Sequence, residues 1–185
     1  MPITINIPEV KDSWDPIKEE FVSSKGYTLN LEHSLISLQL WESKWKKPFL
    51  TSEKNPAELI DYIKCMTINK GIPDEAYERI PMSEMTRIND YIKDPMSATV
   101  IYDLTPDKKK AGHKKNNTPT AERIYYWMIS CNIPSEYRKW HLNQLLTLIR
   151  VFDVENNTEK MSKTDSAAWR RQQNAARRKA MHTKG

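Results

Sequence analysis

The hydrophobic residues of this chain follow two different periods, which predict strands near the N-terminus and helices after them. Residues 3–7 and 27–31 place Ile, Leu or Tyr at every second position, as in a strand with one buried face. The spacing then changes to three and four through Leu35, Leu38 and Trp41, which predicts a helix. The first third of the chain is therefore predicted to combine two short strands with one helix.

Polar segments separate these elements and carry the signals that begin helices. Residues 8–20 are polar, and we expect Trp14 and Ile17 to anchor them to the core. Asn55 is followed by a proline and, at the third helical position, by Glu58, which is a strong helix start. The expected inward residues of this helix, and of a later one capped by Ser83, are Leu59, Ile63, Met66, Met85, Ile88 and Ile92.

The largest concentration of apolar and aromatic side chains lies in residues 119–153 and predicts a helical hairpin. Thr118 can cap its first helix, Pro119 fits the first helical position, and Pro134 separates the two helices. The apolar face of the second helix consists of Leu142, Leu145, Leu146, Ile149 and Phe152, widened by Tyr137 and Trp140. We therefore expect this hairpin to be the core against which the rest of the chain packs.

Length and pattern together favour a mainly α fold. A chain of 185 residues corresponds to one ordinary domain, and its hydrophobic content of 38% is somewhat low. We predict a single helical domain, residues 1–157, with a few short β-strands near the N-terminus. A basic arm, helical or disordered, follows at residues 158–185. A third short strand is expected at 98–102, and an exposed lysine-rich loop at 107–117.

Positive charge is concentrated in the C-terminal arm. Residues 160–185 carry eight basic residues against one acid, Asp165, which is a net charge of +7. Because the whole chain has a net charge of +5, the remainder sums to −2. A helix this polar buries too little apolar surface to hold itself against the body. We therefore predict that the arm binds a partner through Trp169, Arg170, Arg171, Arg177 and Arg178.

The chemistry of the arm fits two classes of partner. Its basic side chains, spaced by sevens, suit a protein with an acidic and apolar surface. They also suit nucleic acid, which basic side chains bind by releasing counterions. The protein partner is favoured, because an isolated tryptophan beside arginines is typical of protein interfaces.

No residue pattern in the sequence points to catalysis or to metal binding. Glu32–Ser34 contains base and nucleophile types, but its position favours a helix start. His141 is interpreted as a polar edge of the 119–153 hairpin. The four histidines have no metal-ligand spacing, and four glycines build no phosphate-binding loop; the histidines are His33, His113, His141 and His182. We expect no catalytic residues, no cofactor and no metal, and therefore a non-enzymatic protein.

The cysteines and the hydropathy pattern favour an intracellular, soluble protein. Cys65 and Cys131 each lie in an apolar helical run outside any CxxC pair, so we expect two buried, reduced thiols. No secretory signal or membrane-spanning apolar run is recognised in the sequence. We therefore expect no membrane partner.

Segments spread along the chain share a pattern with one protein family. They are Leu31–Leu38, Trp41–Phe49, Asp61–Thr67, Ile124–Met128, Trp140–Ile149 and Lys160–Ser162, together with the arginine-rich end that closes in Lys184–Gly185. Almost end to end, the chain resembles the tail assembly chaperones of tailed bacteriophages. Those are small, largely helical proteins that coat the tape measure protein until tail tube subunits polymerise round it, and then leave.

This resemblance implies a tail morphogenesis protein of the host cytoplasm, with the tape measure protein and the tail tube protein as partners. It implies no catalytic residue and no cofactor, and it assigns no role to any single residue. The alternative from a different class is a permanent component of the virion neck or tail, or a packaging factor associated with nucleic acid.

Overall fold

The computed structural model describes residues 2–15, 17, 19–99, 119–159 and 163–180. Within these ranges the chain is mainly helical, with short strands near the N-terminus, as predicted. The strands are β1 (Ile3–Ile7), β2 (Val10–Asp15), β3 (Glu20–Ser24) and β4 (Tyr27–Leu31). The helices are α1 (Leu35–Trp45), α2 (Pro56–Met66), α3 (Asp74–Glu78), α4 (Met82–Lys93), α5 (Ala121–Ser130), α6 (Leu142–Glu159) and α7 (Lys163–Ala180), with a 3-10 helix at Ser135–Lys139.

The four strands form two antiparallel pairs, which follow each other along the chain and which we together call the ribbon. β1 pairs with β4 up to Ile7 opposite Tyr27, and β2 pairs with β3 from Val10 opposite Ser24. We call β1 and β4 the ribbon base, and β2, β3 and the turn between them the ribbon tip. The predicted strands are the two of the base. Those of the tip were not predicted, because their side chains alternate less regularly and the ladder contains a bulge.

The centre of the core is α1, and the prediction that the 119–153 hairpin forms this centre is wrong. α1 packs against α2 on one side and against α5 on the other. The large side chains that are fully buried are Ile5, Leu29, Leu31, Leu35, Leu38, Trp41, Tyr62, Met66, Ile88, Ile124, Leu142 and Leu145. Three of them belong to the hairpin, whose Phe152 remains 37% exposed. The hairpin thus supplies one side of the core, because each of its helices has a single narrow apolar face.

Two helix starts follow the sequence prediction. Ser34 caps α1 in a capping box with Ser37, and Asn55 caps α2 in a capping box with Glu58. On the inner face of α2, Ile63 and Met66 are buried as expected, whereas Leu59 is 43% exposed. Local capping chemistry thus fixed where these helices begin.

Other boundaries depend on contacts between distant segments. The N-cap position of α5 is Thr120 rather than Thr118, and the amide of Ala121 donates to the Glu42 carboxylate of α1 at 2.7 Å. α6 continues to Glu159, two residues beyond the predicted domain boundary at 157. A side chain that is remote in sequence therefore satisfies an amide that a local cap was expected to satisfy.

The segment after α4 was predicted to hold a strand and a basic loop. Ala98 and Thr99 are not in a strand. The rest of the predicted strand 98–102 and the whole loop 107–117 lie outside the described residues.

Candidate functional site

The predicted partner-binding residues all lie on α7. Arg170, Arg171, Arg177 and Arg178 are exposed, whereas the side chain of Trp169 lies outside the described part of the structure. Seven residues are close to two turns of helix, so arginines seven apart share a face. None of the described side chains of α7 is buried. The helix therefore presents two neighbouring basic stripes to solvent.

A second exposed surface, which the sequence did not indicate, is the ribbon tip. Trp14 and Ile17 were expected to anchor this segment, but they are 53% and 91% exposed. Trp14 instead packs edge to face on Phe21, directly opposite on the neighbouring strand, with the ring centroids 5.3 Å apart. Phe21 is itself 68% exposed. The tip thus carries an aromatic pair outside the core.

The junction between ribbon base and ribbon tip is held by one arginine. The guanidinium of Arg79 donates to the carbonyl oxygens of Pro8 and Lys25, one on each side of the ribbon, at 2.7 Å and 3.2 Å. A Cβ atom at Gly26 would lie 3.0 Å from the carbonyl oxygen of Ile7. A side chain at this position would therefore crowd the neighbouring backbone, and the hydrogen bonds from Arg79 fix the position of the junction relative to α3.

A buried polar cluster joins segments that are far apart in sequence. Its side chains are His33, Tyr62, Tyr91 and His141, and the two imidazole centroids are 5.0 Å apart. His33 Nδ1 lies 2.6 Å from the Tyr62 hydroxyl, and His141 Nε2 lies 2.9 Å from the carbonyl oxygen of Tyr91. The amide of Leu142 donates to the carbonyl oxygen of His33 at 2.8 Å. The interpretation of His141 as a polar edge is therefore wrong: this side chain is 1% exposed.

Burial keeps the groups of this cluster uncharged. Desolvation, with His141 as the second cause, lowers the pKa of His33 to about 3. Desolvation also lowers the pKa of His141 and raises the pKa of Tyr62 above its usual range. Because His33, Tyr62 and His141 are each 1% exposed, no substrate can reach them in this structure. The cluster binds the ribbon base, α2, α4 and α6 together.

Buried carboxylates also serve packing. Glu42 accepts hydrogen bonds from the amides of Phe49 and Ala121, so both of its oxygens are used. Asp61 accepts from the Trp45 indole at 2.8 Å and from the Lys44 ammonium. Each carboxylate has partners that satisfy its negative charge.

An open groove of about 310 Å³ lies between the end of α1 and the start of α5. It is lined by Glu42, Ser43, Lys46, Lys47, Pro48, Thr120 and Glu122. Lys47 is paired with Glu58 at 2.6 Å, and the Glu42 carboxylate accepts hydrogen bonds from two amides, so both of these groove side chains are already engaged.

The described ranges contain neither a metal-ligand cluster nor a membrane-spanning helix, and both of their cysteines are free. No cluster of three or more histidine, cysteine, aspartate or glutamate side chains in them has the arrangement to hold a metal ion. None of the described helices combines the length and the apolar character needed to cross a bilayer. Cys65 and Cys131 are free and half-buried rather than fully buried, and desolvation raises the pKa of the Cys65 thiol to about 11.

The chain was also compared with known proteins. No protein-family model, no curated protein and no solved structure matches it.

Proposed function

We propose that this chain is a non-enzymatic bacteriophage tail morphogenesis protein, a tail assembly chaperone that binds the tape measure protein and tail tube subunits in the host cytoplasm. The observation that carries the binding part of this proposal is α7. Its arginines Arg170, Arg171, Arg177 and Arg178 are exposed at the end of a folded body. The resemblance described above supplies the identity of the partners.

Of the segments that carry this resemblance, those that the structure describes lie largely in the core. Leu35, Leu38, Trp41 and Tyr62, for example, are each at most 1% exposed. Residues of this kind set the fold and do not touch a partner. The resemblance therefore supports kinship in fold most directly, and the chaperone role extends that kinship to function.

The arm would bind a helical partner reversibly. Trp169 is the residue type that anchors an interface, and the arginines would pair with carboxylates around it. Such rim pairs raise the association rate and the specificity more than the affinity, and salt weakens them. Reversible binding of this kind suits a chaperone, because a chaperone must release its partner when the tail tube forms.

Trp169→Ala tests this proposal, with Gln172→Ala on the same helix as the matched control. We expect Trp169→Ala to weaken binding to the purified tape measure protein by about 2 kcal/mol, the scale of an interface hot spot. The melting temperature should not change, and Gln172→Ala should bind like wild type. Calorimetric titration measures the affinity; equal affinities for both variants and wild type would contradict the role of the arm.

A second candidate function is favoured by the same exposed arginines: a neck or tail component of the virion, or a packaging factor on nucleic acid. If the chain is a packaging factor, the logarithm of its affinity for duplex DNA should fall linearly with the logarithm of the salt concentration. A chain that ends at Glu159 should no longer bind duplex DNA. Mass spectrometry of purified virions separates the classes further, since a chaperone leaves the tail and a structural component stays.

A further inference from the structure

The ribbon tip exposes aromatic surface that contributes nothing to the core. Trp14 and Phe21 pack on each other and are 53% and 68% exposed. Two large aromatic side chains in contact on the surface are more than scattered single apolar residues, and such patches mark interaction sites. Tryptophan is also the residue type most enriched at binding hot spots.

The tip also has open strand edges. β2 pairs with β3 alone among the described residues, so each strand has one edge without a neighbouring strand. A two-stranded hairpin is at best marginally stable by itself, and a third strand would satisfy its unpaired amides and carbonyls. The open edges and the aromatic pair therefore lie on the same small element.

The charge of the tip indicates what would bind there. Residues 10–24 contain four acidic and two basic side chains, a net charge of −2. Of the acids, Asp12, Glu19 and Glu20 are exposed. A basic segment would find carboxylates at the edge of the strands and an aromatic face for its cations.

We propose that the ribbon tip is a docking site for an extended, basic segment of a partner protein, which adds a strand to β2 or β3. Main-chain hydrogen bonds would supply most of the affinity, while Trp14, Phe21 and the carboxylates would select cationic side chains. The basic helix α7 of a second copy would have to unwind before it could add a strand, because a helix pairs most of its amides and carbonyls internally. This site is distinct from the arm used in the proposed function, so either can fail without the other.

The probe is a labelled ten-residue peptide in which arginine or lysine alternates with valine or threonine. One control peptide carries glutamate at the cationic positions, and a second carries prolines that prevent strand addition. Fluorescence anisotropy measures binding to the full chain. We expect the basic peptide to bind at least about tenfold more tightly than either control.

Two variants of the tip test the site separately from its fold. Trp14→Ser with Phe21→Ser removes the aromatic pair, and Glu19→Lys with Glu20→Lys reverses charge while keeping that pair. Each double variant should weaken the binding of the basic peptide by about tenfold or more. Tyr126→Ser, which changes an aromatic residue that is 67% exposed on α5, is the matched control and should bind like wild type.

Several results would overturn the proposal. The basic peptide could fail to bind, or it could bind equally well to the wild type and to both tip variants. The proline peptide could also bind as tightly as the basic peptide. A peptide with the sequence of residues 163–180 that binds the tip as well as the strand peptide would indicate a second copy of this chain instead. If a peptide of residues 107–117 binds the tip as well as the strand peptide, the tip would instead contact residues 107–117 of its own chain.

Discussion

The two halves of the N-terminal ribbon have the same secondary structure and opposite environments. In the ribbon base, Ile5, Leu29 and Leu31 are fully buried against the helices. In the ribbon tip, Trp14 and Phe21 are more than half exposed although they are larger and at least as apolar. The difference shows that burial here is set by where along the ribbon a residue lies, since α4 packs on β1 and α2 on β4, whereas β2 and β3 pack mainly on each other.

The largest difference between the halves should appear when one carboxylate is introduced into each. Leu29→Asp buries an unpaired charge and should lower the free energy of unfolding by about 4 kcal/mol, or prevent folding. Phe21→Asp lies on an exposed face and should change that free energy by no more than about 0.5 kcal/mol. Urea denaturation of both variants measures the contrast; similar losses would mean that the tip belongs to the cooperative core.

Acid should destabilise the folded chain through His33, which is buried in the segment between β4 and α1. Burial holds the pKa of His33 at about 3, below its ordinary value of 6.5. The unfolded chain therefore binds more protons between these values, and stability falls as pH decreases through that window. From pH 6.5 to pH 5 the loss from His33 should be about 2 kcal/mol, with His141 adding to it.

The slope of the unfolding free energy against pH should differ between the wild type and a variant without His33. His33→Gln should flatten the curve of unfolding free energy between pH 5 and pH 7, even if it also lowers the whole curve. The carboxylates whose pKa values are lowered, Glu58 by Lys47 and Asp74 by Lys64, titrate below their ordinary values and so contribute under pH 4.5. A wild-type slope in the variant would show that His33 does not control the transition.

A smaller effect is expected at the junction of the two halves. Arg79→Ala removes the hydrogen bonds to Pro8 and Lys25 and should cost about 1 kcal/mol. Amide hydrogen exchange should accelerate in β2 and β3 more than in β1 and β4, because the tip would lose its fixed direction. Arg87→Ala is the control, since Arg87 reaches the carbonyl oxygen of Thr4 in the base at 3.4 Å.

The smallest effect should be confined to the tip. The hydroxyl of Ser23 lies 3.2 Å from the amide of Asp12, at the bulge between β2 and β3, and accepts its hydrogen bond. Ser23→Ala should change the global free energy of unfolding by only a few tenths of a kcal/mol. Exchange of the Asp12 amide should nevertheless accelerate, and protection equal to wild type would show that the strands alone hold the bulge.

The sequence by itself determined the elements whose signals are local. Alternation of apolar residues identified β1 and β4, while the helix start expected at Glu32–Ser34 and the cap Asn55 marked where α1 and α2 begin. Helical spacing also identified Leu35, Leu38 and Trp41 as buried. These signals work because strand period, helix period and capping involve residues within a few positions of one another.

The tertiary structure alone decided which distant segments meet. It placed α1 at the centre, brought His33 and His141 together across more than a hundred residues, and used Glu42 to bind the first amide of α5. It also left Trp14 and Ile17, which were expected to anchor their segment, exposed to solvent. Nothing in a local pattern encodes these outcomes, because they depend on which faces remain uncovered once the long-range contacts have formed.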